Sequence, residues 1–291
     1  MANIQKAHPQ NVQGPLFVDT TCIDCATCFH LAPEIFQELD GKSVVKGQPH
    51  GPKEWLLAKR AILSCPTSSI GVSVAPQEFN NLGSGLPFEI SEGVFYCGYT
   101  SPHSFGASSY LIVRSSGNVL VDSPRFNSQL AQKIEALGGI RYMFLTHQDD
   151  VADHKKFHSF FNCKRIIHSD EVNSDTQDCE IQLIGSETVH FASDLKIIMT
   201  PGHTKGHMNL IYRGKFLFTG DHLFVDPDLG QLRASKSYCW YSWVEQVKSL
   251  EKLAQEKFEW ILPGHGGWGY FGVEDSHYKI NELVTGLKGQ Q

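Results

Sequence analysis

Apolar and polar positions follow two textures along this chain. In the first, short apolar patches are interleaved with cysteines. Trp55, Ala58 and Ile62 fall on one stripe at helical spacing, which predicts a helix over 53–64. Cys65-Pro66 ends it, because the residue before a proline is pushed out of the helical region. Residues 43–46 read as a short strand. From 76 to 87 the period is lost, and Pro76, Asn80, Asn81, Gly83, Gly85 and Pro87 mark a linker. The second texture follows, with short apolar runs each closed by a turn. Residues 109–114 and 119–123 read as strands flanking a hairpin signal at Gly117-Asn118. Further strands are expected at 142–146, 195–200, 208–213, 215–219 and 260–262. Leu130, Ile134 and Leu137 predict a helix over 125–137. Trp243, Val247, Leu250 and Leu253 predict another over 241–256, and a last one falls near 276–287.

This ordering predicts an α/β protein in two parts: residues 1–75, a linker at 76–87, and residues 88–291 with sheets covered by helices. The first part is too small to bury much core, so a bound metal would help hold it together. Charge adds an exclusion. The 291 residues carry a net charge of -6 with both signs mixed, which argues against an extended nucleic-acid surface. No apolar run reaches membrane-spanning length, and the N-terminus lacks the apolar core of a secretory signal. Of eight cysteines, four fall in a metal-type pattern, while Cys97, Cys163, Cys179 and Cys239 are scattered. That usage points to a reducing compartment, the cytoplasm or an organelle stroma.

Candidate chemistry divides along the same line. Cys22, Cys25 and Cys28 are each three residues apart, so a tight loop can turn three thiolates toward one centre. Cys65, ahead of Pro66, is the obvious fourth donor. Thiolates suit an iron–sulfur cluster, and zinc takes the same donors, usually from two spaced pairs. With Leu31-Ala-Pro-Glu-Ile-Phe36 and Ala61-Ile-Leu-Ser-Cys-Pro-Thr-Ser-Ser-Ile70, residues 15–72 resemble a single-cluster bacterial-type ferredoxin. The resemblance implies a small α+β ferredoxin-like domain with a [4Fe–4S] cluster on Cys22, Cys25, Cys28 and Cys65. The ligands alone leave its role open between electron transfer, redox sensing and structure.

The second part places His and Asp in four blocks, each where an apolar strand meets a turn: His147-Gln-Asp149-Asp-Val-Ala-Asp153-His154, Pro201-Gly-His203-Thr-Lys-Gly-His207, Thr219-Gly-Asp221-His222 and Pro263-Gly-His265. Donors at strand ends can converge on one rim of a sheet while the strands hold them rigid. On these blocks residues 88–291 resemble the metallo-beta-lactamase fold superfamily, its glyoxalase II-like hydrolases in particular. The resemblance implies an αββα sandwich. The second, third and last blocks match the family pattern through His203, Asp221 and His265. The first departs from it, because Asp149 stands where the family has a histidine and the Asp-His pair comes two residues late. With the loop lengthened by two, the resemblance implies that His147, Asp149 and His203 hold one cation, and that Asp153, His154 and His265 hold another. Asp221 would bridge, and Asp153 would orient or deprotonate the attacking water. His207 is expected to support its loop, and His222 to be a rim residue.

One or two divalent cations are expected, zinc or iron, with manganese a further candidate because a carboxylate at Asp149 hardens the site. The leading function is a metal-dependent hydrolase acting on a thioester, ester or related acyl bond of a small molecule through a metal-bound hydroxide. One alternative is an oxidoreductase whose di-iron site takes electrons from the ferredoxin-like domain. Another is a non-catalytic redox sensor or partner-binding protein. A redox partner protein is expected beside the small-molecule substrate. Neither nucleic acid nor membrane is expected.

Overall fold

The computed structural model describes residues 1–226 and 229–289, so the last two positions of the expected second domain lie outside the described residues. The chain forms two compact units, one of residues 1–118 with 124–139, the other of residues 119–123 with 140 onward.

In the first unit β1 (Leu16–Val18) pairs antiparallel with β4 (Ile70–Val72), joining the two ends of the cysteine-bearing segment. Between them lie α1 (Thr27–Leu31), a hairpin of β2 (Phe36–Leu39) and β3 (Lys42–Val45), and α2 (Gly51–Ser64). Helix α2 buries Trp55, Ala58 and Ala61 and stops at Cys65, as the proline signal requires. The core is small and includes Leu16, Ile35, Phe36 and Trp55 together with Cys22, Cys28 and Cys65. Three of its four sulfur donors are thus also its packing, so metal and core are one problem here.

The stretch predicted as a linker contains a short helix, α3 (Gln77–Asn81). Lys59 Nζ donates to the Phe79 and Leu82 carbonyls at 3.2 and 2.6 Å, and Arg60 Nε to Gly85 O at 3.0 Å. Two cations of α2 therefore tie it down. An antiparallel meander of β5 (Phe88–Ser91), β6 (Val94–Tyr96) and β7 (Tyr110–Ile112) follows. Helix α4 (Ser128–Ala136) is capped by the Asn127 side chain, which accepts from Gln129 N and Leu130 N.

In the second unit β8 (Val119–Val121), β9 (Tyr142–Phe144), β10 (Lys164–His168) and β11 (Ile181–Leu183) run parallel, with α5 (His154–Phe161) between β9 and β10. A second sheet takes β12 (Val189–Ala192), β13 (Leu195–Met199), β14 (Met208–Tyr212) and β15 (Phe216–Gly220) in antiparallel order. After a small hairpin of β16 (Phe224–Val225) and β17 (Leu232–Arg233), β18 (Trp260–Pro263) returns parallel to β15, and β19 (Gly269–Tyr270) closes the edge. Helices α6 (Trp243–Leu253) and α7 (Val273–Lys288) share a core with this sheet through Ile198, Ile211, Leu217, Leu250, Leu253 and Ile280. Strands β14 and β15 are buried throughout, which is why they read as continuous apolar runs. The whole is a small α+β domain followed by the mixed β-sheet and helix sandwich that the family pattern implied. Among the described residues no helix is long and apolar enough to cross a membrane.

Candidate metal centres

The cysteine loop coils because Asp24 and Ala26 take left-handed backbone conformations (φ 62° and 58°) on either side of Cys25. Cys22, Cys25, Cys28 and Cys65 line one pocket with Val18, Ile23, Ser43 and Ile70. Its walls point donors at sulfur. Asp24 N and Ser43 N approach Cys22 Sγ at 3.4 Å each, and Ser69 N approaches Cys65 Sγ at 3.2 Å. Such donors favour sulfur that carries negative charge, as a cluster ligand does. Without iron the thiols are costly to ionise: burial pushes Cys25 up to about 11 and raises Cys28 further in the same direction.

Two further contacts bind this pocket to the β6–β7 connection in the same unit. Thr27 Oγ1 donates to Gly106 O at 3.1 Å, and Thr100 Oγ1 donates to the carbonyl of Ser64, next to Cys65, at 2.6 Å. Gly106 has φ 88°, and a Cβ there would stand 2.8 Å from Cys25 Sγ. Only glycine fits.

The His/Asp centre sits at strand ends of the second unit. His147 follows β9, Asp221 follows β15 directly, His265 follows β18, and His203 lies in the β13–β14 loop. Asp221 Oδ2 stands 3.7 Å from His147 Nε2, 3.6 Å from His203 Nε2 and 3.8 Å from His265 Nε2. Asp149 Oδ2 stands 3.8 and 3.5 Å from the first two. Donor atoms about 2.1 Å from one tetrahedral ion lie about 3.4 Å apart, so these spacings fit a cation. Burial makes the same point. His147 Nε2, His203 Nε2, Asp150 Oδ2 and Asp221 Oδ1 are buried without a hydrogen-bond partner, a cost that a bound cation removes. His147, Asp149 and His203 form one converging group, and His147, Asp150 and Asp221 a second.

The surroundings fix the rings. His147 Nδ1 meets Thr146 Oγ1 at 2.9 Å, and Asp122 in turn accepts from Thr146 N and Oγ1 at 2.8 and 3.0 Å. His203 Nδ1 donates to Tyr238 O at 2.5 Å. Each ring therefore aims Nε2 inward. Buried Glu171 accepts from Gln148 N at 2.9 Å and from Gly206 N at 2.5 Å, tying the loop of His147 to that of His203. Gly264 lies over the carboxylates, where a Cβ would come within 2.8 Å of both Asp221 and Asp150.

Titration follows from this crowding. Burial drives His147 down to about 4, against the pull of Asp221. Burial also opposes charge on His203, yet Asp149 and Asp221 outweigh it and raise that ring. Asp149 is held below the usual carboxylate range by the His203 imidazole 3.5 Å away. Asp150 is raised well above that range by burial and by Asp221, Asp122 and Asp149.

The structure brings together five of the residues expected from sequence: His147, Asp149, His203, Asp221 and His265. It places two elsewhere. His154 opens α5 and turns inward to β10, with Nε2 against Asp175 O at 3.1 Å and Nδ1 3.3 Å from the Arg165 guanidinium. Burial and that guanidinium push it down to about 4. Asp153 precedes α5 and pairs with Lys156 at 2.9 Å. The carboxylate that faces the cluster from this loop is Asp150, which pattern matching passed over. His207 is buried with Nδ1 on Thr200 Oγ1 at 3.1 Å, in the supporting place expected of it. His222 is fully buried and stacked on His207, not at a rim. Glu171 carries no motif signal, and Asp122 offers only its place in the 119–123 strand run.

Comparisons with known proteins divide the chain as its donors do. Residues 18–72 match the 4Fe-4S single cluster domain of ferredoxin I, so the four cysteines are a [4Fe–4S]-binding set. A probable metallo-hydrolase of Methanocaldococcus jannaschii is 29% identical over 202 residues, covering 57% of this chain and 91% of that protein. Two solved metallo-beta-lactamases, DIM-1 and VMB-1, share the fold with TM-scores of 0.50. They are 15% and 18% identical, covering 68% and 69% of this chain and 96% of each of theirs. The model of the metallo-beta-lactamase superfamily matches residues 95–287, well over half of the chain and every strand end that bears a donor, and the chain belongs to that superfamily.

Proposed function

We propose that this chain, a metal-dependent hydrolase of its superfamily, cleaves a thioester, ester or related acyl bond of a small molecule. His147, Asp149, Asp150, His203, Asp221 and His265 are its cation-binding residues. The observation that carries this reading is Asp221 Oδ2, placed 3.6–3.8 Å from three inward-facing imidazole nitrogens as a bridging carboxylate should be. Two divalent cations held there supply Lewis acidity and lower the pKa of water.

The residues do the rest. Asp122 and Thr146 hold the His147 ring, and Tyr238 O holds that of His203, so the donors need not reorganise during turnover. Asp149, with a side chain 46% exposed, marks the side that solvent and substrate reach. Asp150, buried among Asp122, Asp149 and Asp221, is held well above the usual carboxylate range by that crowding, and a cation bound there would offset it. Asp150 takes the water-orienting place that the family pattern gave to Asp153.

Anaerobic purification with metal and sulfide quantification, followed by assays on acyl thioester and ester panels, tests the reading. Turnover should follow cation loading and vanish in His203→Ala. Full cation loading with no acyl hydrolysis of either class would refute it. The three carboxylates Asp149, Asp150 and Asp221 also favour a second reading, in which the centre holds iron and exchanges electrons with the cluster. Redox-linked turnover without hydrolysis would select it. The reading includes a redox partner protein for the cluster. It also includes a reducing compartment, the cytoplasm or an organelle stroma, which suits eight free cysteines.

A further inference from the structure

Between β17 and α6 the backbone is laced onto the loop that carries His203. Tyr238 O accepts from His203 Nδ1 at 2.5 Å. Trp240 N and Tyr241 N donate to His203 O at 2.9 and 3.0 Å, and Ser242 N donates to Gly202 O at 3.0 Å. Cys239 Sγ reaches Gly202 O at 3.1 Å. A segment bonded this way serves to place something. Its side chains are not placed in a core: Tyr238 is 66% exposed, Trp240 65% and Tyr241 50%. Packing of α6 explains none of that exposure, because α6 buries Val247, Leu250 and Leu253 instead. Large aromatics held in water on a fixed backbone mark a binding surface.

Position says what it binds. The Trp240 ring centre lies 6.2 Å from that of His203, and Tyr238 stands edge-on to Trp240 at 6.3 Å. The aromatic pair is thus continuous with a cation-binding residue, at contact range for one small molecule reaching both. Half-exposed Asp149 stands 3.5 Å from the same histidine, so the aromatic pair borders the solvent-reached side of the centre. We propose that Tyr238 and Trp240 form a wall for a flat, uncharged apolar group of the substrate while its reactive end lies at the His/Asp centre. The substrate class is then an acyl compound bearing an aromatic or similarly planar moiety within one ring's length of the scissile bond. This rests on the hydrolase reading above and narrows its substrate.

Two thiols separate the wall from the centre. Benzyl mercaptan and ethanethiol offer the same sulfur to the cations, and only the first offers a ring. Calorimetry on cation-loaded, cluster-replete protein should show benzyl mercaptan binding about tenfold more tightly, as burial of a phenyl face predicts. In Trp240→Ala that preference should shrink to less than about threefold while ethanethiol affinity and cation content hold. Tyr238→Ala retains the carbonyl that His203 uses and reads the same wall through a second side chain, with a smaller loss. Trp240→Phe should keep most of the preference. An exposed tyrosine on α7 gives the control: Tyr278→Ala should change nothing. A preference that survives in both alanine variants overturns the wall and leaves the centre standing. Ethanethiol failing to bind the loaded wild type overturns the centre, and the wall with it. A change of oligomeric state in Trp240→Ala, with the thiol preference intact, reassigns these aromatics to a protein interface.

Discussion

The cysteine pocket and the His/Asp centre hold metal by opposite means. Cys22 and Cys25 ride on a loop, Cys28 sits in the short helix α1 and Cys65 ends α2, and three of the four belong to the small core they organise. Their geometry comes from two left-handed residues, from N–H groups aimed at sulfur, and from the cluster itself. The His/Asp donors stand at the ends of buried strands, with their rings held by Thr146 and by the Tyr238 carbonyl. The contrast teaches where stability lives: the first centre is a folding element, the second a cost that the sheets carry.

The largest expected effect follows from the first half of that contrast. Cys28→Ser should abolish the cluster, with iron and sulfide of the cysteine site falling to background. Loss of that metal-coupled folding should destabilise the N-terminal segment by more than about 3 kcal/mol. Cation content at the His/Asp centre should be unchanged, and its joint loss would break the comparison. His203→Ala is the mirror experiment. Activity should fall by about a thousandfold or more while the cluster spectrum and melting temperature hold.

Glu171→Gln probes how far rigidity reaches. It weakens the acceptor that joins Gln148 N to Gly206 N, and cation affinity should drop by roughly 10- to 100-fold, measured by chelator competition. His154→Gln has the smallest effect at neutral pH. The native ring is held down to about 4 by burial and Arg165, below its unfolded value. A histidine depressed in this way takes up a proton more readily when unfolded, so stability is lost as pH falls from about 6.5 toward 4, by up to about 3 kcal/mol. The variant should lack that loss and keep its full cation content. Glu180, drawn down to about 2 by Arg165 against its own burial, adds stability present above about 4.5 and lost as pH falls toward 2. Denaturant midpoints across that range separate the two groups.

Much of this was legible in the sequence, for physical reasons that also explain the rest. Strand ends could be read because β9, β15 and β18 are largely buried apolar runs, and Gly220-Asp221 and Gly264 break the last two. The cysteine spacing could be read because a cluster dictates it. His154 was misplaced because family spacing competes there with a helix stripe: His154, Phe157 and Phe161 share one face of α5, and His154 and Phe157 are buried. Asp150 was hidden beside Asp149, since one-dimensional spacing cannot say which of two adjacent carboxylates turns inward. Lys59 and Arg60 fasten residues 79–85 through backbone carbonyls, contacts without any sequence signature, so a tied segment read as a linker.

Gly106 carries a consequence for descent. Its missing Cβ is demanded by Cys25, which lies in the stretch matched by the ferredoxin model, whereas Gly106 lies in the stretch matched by the metallo-beta-lactamase model. The two positions are therefore expected to vary together. Homologues that keep Cys25 should keep glycine at 106, and lineages that have shed the cysteine should be the ones where bulkier residues appear there. Paired substitutions at this contact would then record the coupling of the two stretches.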